Sequence, residues 1–175
     1  AFWQASGVQV DSYAFLPRSF RAMFEEPPRL DGEDEPVWAP FTKRLSESTV
    51  ALLSSAGLYV SATQPSFDGE REKAEPGWGD PSWRAIPRDT AQGALGMMHL
   101  HVNNADTLAD HEVSLPLRAL DALVADGLVG ASAPTHYSVM GYQQAGLVDW
   151  RTKTADEIVA RLRDDNVDAL LLAPA

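Results

Sequence analysis

Two apolar runs restrict this chain more than any other feature in it. Residues 49–60 (TVALLSSAGLYV) and 167–173 (VDALLLA) carry aliphatic side chains at consecutive positions, without the alternation of a strand that has one wet face. Both are far shorter than the roughly 20 apolar residues that cross a bilayer. They read as strands buried on both faces, the first ending in a turn at Gly57, which is the pattern of a parallel sheet covered by helices.

The segments between and beside these runs supply the helices. Leu115, Leu117, Leu120, Leu123, Val124 and Leu128 recur mostly three and four residues apart, with Pro116 in the first turn and Gly127 near the end, which predicts a helix over 115–128. A second helix is predicted over 154–165, opened by a capping box of Thr154 and Glu157, buried through Ile158, Val159 and Leu162, and ended by Asn166. A strand follows that helix directly. The order is that of a Rossmann-like α/β fold with a mostly parallel sheet and flanking helices. A length of 175 residues suits one core. Residues 1–45 mix aromatics (Tyr13, Phe15, Phe20, Phe24) with Pro27, Pro28 and an acidic run at 31–35, which reads as a short helix and an irregular N-terminal arm on an α/β domain over 46–175.

Charge and cysteine content narrow the chemistry. Asp and Glu number 25 against 14 Lys and Arg, a net charge of −11, and such a surface repels phosphate backbones and anionic lipid. Neither nucleic-acid nor membrane partners are expected. The first ten residues show no basic segment and apolar core of a signal peptide, so a cytoplasmic protein is expected. No cysteine is present, so the 175 residues offer no disulfide, thiolate ligand or thiol nucleophile. Without a G-x-G-x-x-G, P-loop or G-x-S-x-G pattern, no nucleotide cofactor is expected.

All four histidines lie between positions 99 and 136. If 97–102 is a strand, His99 and His101 share one face at a spacing that suits a divalent metal such as zinc or iron, with Asp110 and His111, or His136, completing the set. The competing reading is a pair of half-buried, hydrogen-bonded imidazoles. His136 and Tyr137 are candidates for acid/base work facing a pocket, or for a satisfied histidine and a structural tyrosine. Residues 64–87 are rich in Gly and Pro and read as a long loop; in and just past it Asp80, Arg84 and Arg88 are placed to bind a carboxylated substrate, or to hold the loop by salt bridges. Ser55 follows the first strand, where α/β sheets place ligands.

Six segments in order, VALLSSAGLYV (50–60), GDPSWRAIPRDT (79–90), the His-x-His stretch, SLPLRALDALVADGLVG (114–130), APTHYSVMGY (133–142) and VDALLLAPA (167–175), resemble the selenoprotein B family of glycine, sarcosine and betaine reductases and its D-proline reductase relatives. The resemblance covers about residue 36 onward. It implies an oxidoreductase or oxidoreductase subunit, in a homo- or hetero-oligomer, acting on a small amine or amino-acid-like metabolite. In those reductases the segment similar to VDALLLAPA leads into a selenocysteine or cysteine that cleaves a carbon–nitrogen bond reductively. No such residue occurs here, so the expectation is a chain that is no reductase alone: a shortened form of a longer protein, an offshoot without the selenol, or a binding and scaffold subunit that completes a complex.

Overall fold

A computed structural model describes residues 39–75, 77–143 and 147–175; the helix and arm expected within residues 1–38 lie outside them. The unit that begins at Phe41 is built on one main sheet. Its central strand is β1, Thr49–Ser54. On one side β1 pairs in parallel with β7, Ala169–Ala173; on the other it pairs in parallel first with β5, Ala131–Ser132, and then with β6, Thr135–Val139. An antiparallel strand, β3 (Trp83–Pro87), closes on β6. Two short strands, β2 (Leu58–Val60) and β4 (Leu95–Met97), form a separate antiparallel pair. The helices are α1 (Gly69–Ala74), α2 (Asn104–Ala109), α3 (Leu117–Ala125) and α4 (Ala155–Asp164). This is the expected α/β architecture, with a mostly parallel sheet between helices.

Period-two alternation along β1 divides the core. Val50 and Leu52 face one layer, where Leu115, Leu117, Leu120 and Val129 from in and around α3 bury against them. Leu53 faces the other, with Tyr137 and Val139 of β6 beneath Ile158 and Leu162 of α4. Each of these aliphatic side chains contributes about 1.5–3 kcal/mol by leaving water. Of the two stripes expected from the sequence, Leu115, Leu117, Leu120 and Val124, and Ile158 and Leu162, pack into the core, while Leu123, Leu128 and Val159 are exposed. Among the described residues no helix is long and apolar enough to cross a membrane.

Four local expectations are corrected. The run 49–60 is two strands in different sheets, because Gly57 turns the chain at φ +66°. The supposed loop 64–87 contains α1 and β3, its Gly and Pro residues flanking the regular pieces; Asp68 starts α1 by accepting from Arg71 N at 3.0 Å. Thr154 and Glu157 form no capping box. The helix already runs through Leu147–Asp149 and a π-helical stretch, Trp150–Thr154, so Thr154 has no helix start to cap; its hydroxyl donates to the Pro81 carbonyl, and Glu157 accepts from Trp83 Nε1 at 2.8 Å. Finally, β7 is an edge strand among the described residues: Leu171 and Leu172 are 54% and 63% exposed.

β5 and β6 follow β1 with an interruption. Val50 pairs with Ser132 and Leu53 with Tyr137, so one strand takes five steps where the other takes three. Two extra residues bulge out around Pro134, and the Leu52 N–H has no carbonyl opposite. The His136 ring fills that gap, Nδ1 accepting from Leu52 N at 3.0 Å.

Candidate functional site

Open α/β sheets place ligands beyond the carboxyl ends of their strands, and here three chain segments meet at that end. Past β1, Gly57 N donates to the Val139 carbonyl and Gly57 O accepts from Met98 N, both at 3.0 Å; Ser55 O accepts from Gly141 N at 2.9 Å. Gly57 is required at this crossing, since a Cβ there would stand 2.1 Å from the Met98 carbonyl oxygen. Gly79 is required likewise, because its Cβ would lie 1.6 Å from the Tyr142 oxygen.

The segment after β4 carries the two histidines. The strand ends at Met97, so His99 and His101 sit on a loop rather than a strand face. They are nonetheless brought together: the His101 amide donates to His99 Nδ1 at 3.2 Å, and the ring centroids are 5.9 Å apart and perpendicular. His99 is buried, and that burial, reinforced by the neighbouring His101, lowers its pKa and keeps the ring neutral. His101 is half-exposed and stacks on Tyr142 with centroids 4.0 Å apart.

Two members of the cluster have no sequence signal. Glu72, on α1, hydrogen-bonds His101 Nε2 through Oε1 at 3.0 Å while its side chain is 1% exposed, and its Oε2 is buried without a partner among the described residues. Burial raises the Glu72 pKa, opposed by the nearby His101. Tyr142 arrives only because β6 ends beside Gly79. Nothing in GEREKA distinguishes Glu72 from Glu70, whose side chain is 90% exposed.

Of the expected substrate residues, Ser55 and Asp80 belong to this end of the sheet. Ser55 Oγ accepts from Ala175 N at 2.9 Å. Asp80 accepts from Asp68 N and Ser82 N at 2.9 and 2.8 Å, and its carbonyl accepts from Gln143 Nε2 at 2.8 Å, so it ties the loop to the segment after β6. Arg84 is buried over the Phe67 ring and donates to the carbonyls of Pro65, Trp83 and Ser66 and to Ser82 Oγ. Those bonds occupy its guanidinium. Arg88 lies at the opposite end of the sheet, since β3 runs antiparallel to β6, and it pairs with Asp121 at 2.8 Å on the surface.

His136 is fully buried and uses both ring nitrogens internally: Nδ1 accepts from Leu52 N, so Nε2 carries the proton and donates to Ser132 Oγ at 3.2 Å. Burial lowers its pKa to about 4. Tyr137 is also fully buried, beneath α4, its hydroxyl without a partner among the described residues and its pKa raised by burial. Asp110 accepts from Arg118 at 2.7 Å and caps the turn at Glu112 N; His111 is buried, 3.2 Å from Glu112 Oε1 without a hydrogen bond forming. Asp110 and His111 do not join His99 and His101, and among the described residues no three His, Cys, Asp or Glu side chains come together to hold a metal.

No protein-family model matches the sequence, and no solved structure matches it. The chain is 32% identical over 137 residues to D-proline reductase subunit gamma of Acetoanaerobium sticklandii. That alignment covers 78% of this chain and 52% of the relative, so the chain spans about half the length of the curated protein it matches.

Proposed function

We propose that this chain is a selenoprotein-B-like subunit of a reductase complex of the D-proline reductase kind, acting on a small amine or amino-acid-like metabolite. The observation that carries the reading is the 32% identity to a D-proline reductase subunit. Supporting it, the segment that in those reductases precedes the redox residue ends beside Ser55, whose carbonyl accepts from Gly141, next in sequence to the Tyr142 that stacks on His101. A redox group reached from that segment would meet the histidine cluster. In this reading His101 and His99 handle protons at the reacting centre. The net reaction breaks one carbon–nitrogen bond and forms one C–H and one N–H bond, with two electrons from a dithiol that becomes a disulfide. The thiol or selenol that passes them on is outside these 175 residues, which contain no cysteine.

The test has two parts. Reading the encoding gene beyond the Ala175 codon tells whether a cysteine or an in-frame selenocysteine codon follows. The native complex, purified through a tag on this chain, is then assayed for loss of D-proline and of acyclic amino acids with dithiothreitol as reductant. Substrate loss that His101→Ala abolishes is the expected result; a complex that consumes none of these amines overturns the reading.

A second reading, a non-catalytic scaffold subunit, is favoured by the exposed leucines of the β7 edge. Turnover that survives His101→Ala but requires this chain would select it.

A further inference from the structure

The Glu72–His101 contact joins a carboxylate that water hardly reaches to an imidazole that water half covers. The geometry points to Glu72 as a positioning residue: its Oε1 holds the Nε2–H of His101 and leaves Nδ1 as the proton-accepting atom that an amine-bearing substrate would meet. The role proposed for the substrate rests on the reading above; the arrangement of the two side chains does not.

Three observations carry it. First, the 3.0 Å contact fixes one ring nitrogen, and the ring is held from its face by Tyr142 at 4.0 Å, so the imidazole has one orientation. Second, Nδ1 makes no hydrogen bond among the described residues, while the His101 backbone amide is occupied by His99 Nδ1. His99, neutral, therefore has its proton on Nε2, and the acceptor left on the half-exposed ring is His101 Nδ1. Third, among the described residues Glu72 pairs with no Lys or Arg and its Oε2 has no partner, so the contact with His101 is what its burial serves. A carboxylate kept out of water to orient one histidine is the arrangement that fixes a tautomer in acid/base sites. The charged or titratable groups acting on the pair are His99 and Asp80, with Tyr142 against the ring.

The experiment reads the tautomer directly, by long-range ¹H–¹⁵N correlation of the histidine rings in the full chain, alongside kcat and KM of the native complex. The wild-type His101 should be the Nε2–H form at pH 8, Glu72→Leu should abolish that preference, and Glu72→Gln, which keeps an acceptor at the same place, should restore it. In the complex, Glu72→Leu should lower kcat by 10²-fold or more with KM changed less than threefold, and Glu72→Gln should recover part of the loss with an altered pH profile. An Nδ1–H ring in the wild type, or a tautomer that Glu72→Leu leaves unchanged, overturns the positioning role whatever the complex does. An intact tautomer response with unchanged kcat and pH profile in Glu72→Leu overturns the proton role. A wild-type complex inactive on every amine refutes only the reductase reading, and the spectra still decide the pair.

Discussion

Much of the acid sensitivity of this fold should come from His136. The ordinary histidine pKa is 6.5, whereas the buried, doubly bonded His136 takes a proton only near pH 4. A proton on Nδ1 would turn the acceptor for Leu52 N into a second donor facing a donor. Between these values the unfolded chain binds a proton that the folded one refuses, so stability rises with pH; the contribution is complete above 6.5 and is lost as pH falls toward 4. Each pH unit costs about 1.4 kcal/mol, and the whole window roughly 3 kcal/mol, a large part of a marginal total. His136→Asn puts a carbonyl oxygen near the place of Nδ1 and removes the titration; it should cost about 1–3 kcal/mol at pH 7.5 through lost packing and the lost Ser132 bond. The assay is urea unfolding followed by tryptophan fluorescence, with both proteins at pH 7.5, 6, 5 and 4.5. The carboxylates and the other histidines titrate equally in both, so the difference isolates His136. The gap between the two proteins should narrow by about 2 kcal/mol from pH 7.5 to 5. Parallel curves would refute the claim that the ring is buried neutral across the β5–β6 interruption.

Tyr137→Phe removes a hydroxyl that is buried and without a partner among the described residues, and should leave stability unchanged or raise it by up to about 1 kcal/mol in the same urea assay. Arg84→Leu should cost about 2–4 kcal/mol and make residues 64–82 more sensitive to limited proteolysis, because four oxygens lose their donor. Gly57→Ala should cost about 2 kcal/mol or more, since strain at φ +66° adds to a collision with Met98 O, and should broaden or shift the His99 and His101 ring signals.

The layers of this fold were readable because they follow from burial alone. Leu117 and Leu120, spaced for one helix face, bury against the sheet while Leu123 and Leu128 stay exposed, and the aliphatic run over 49–54 is the central strand, whereas β7 is an edge among the described residues. Boundaries were less readable. Helix α4 begins where a π-helical stretch hands over at Thr154, a decision made by the contact between Thr154 and Pro81, 73 residues away in sequence. The site was half legible: the His-x-His spacing pointed to two rings on one strand face, and the rings are neighbours, 5.9 Å apart, but on a loop. Glu72 and Tyr142 were illegible, since their roles come from where α1 and the end of β6 land, and neither position differs locally from an ordinary surface residue. His136 was visible as a histidine, but its use in the sheet depends on a two-residue mismatch between strands that no single segment records.

The crossing at Gly57, Met98, Val139, Ser55 and Gly141 is made of main-chain hydrogen bonds, and Gly57 and Gly79 close it by the lack of a side chain. Position and chemistry are thereby inherited separately. The loops are located mainly by main-chain atoms, with Asp80 and Gln143 as side-chain ties, so the groups at 72, 99, 101 and 142 are not what closes the crossing, which is the condition under which one scaffold acquires new substrates.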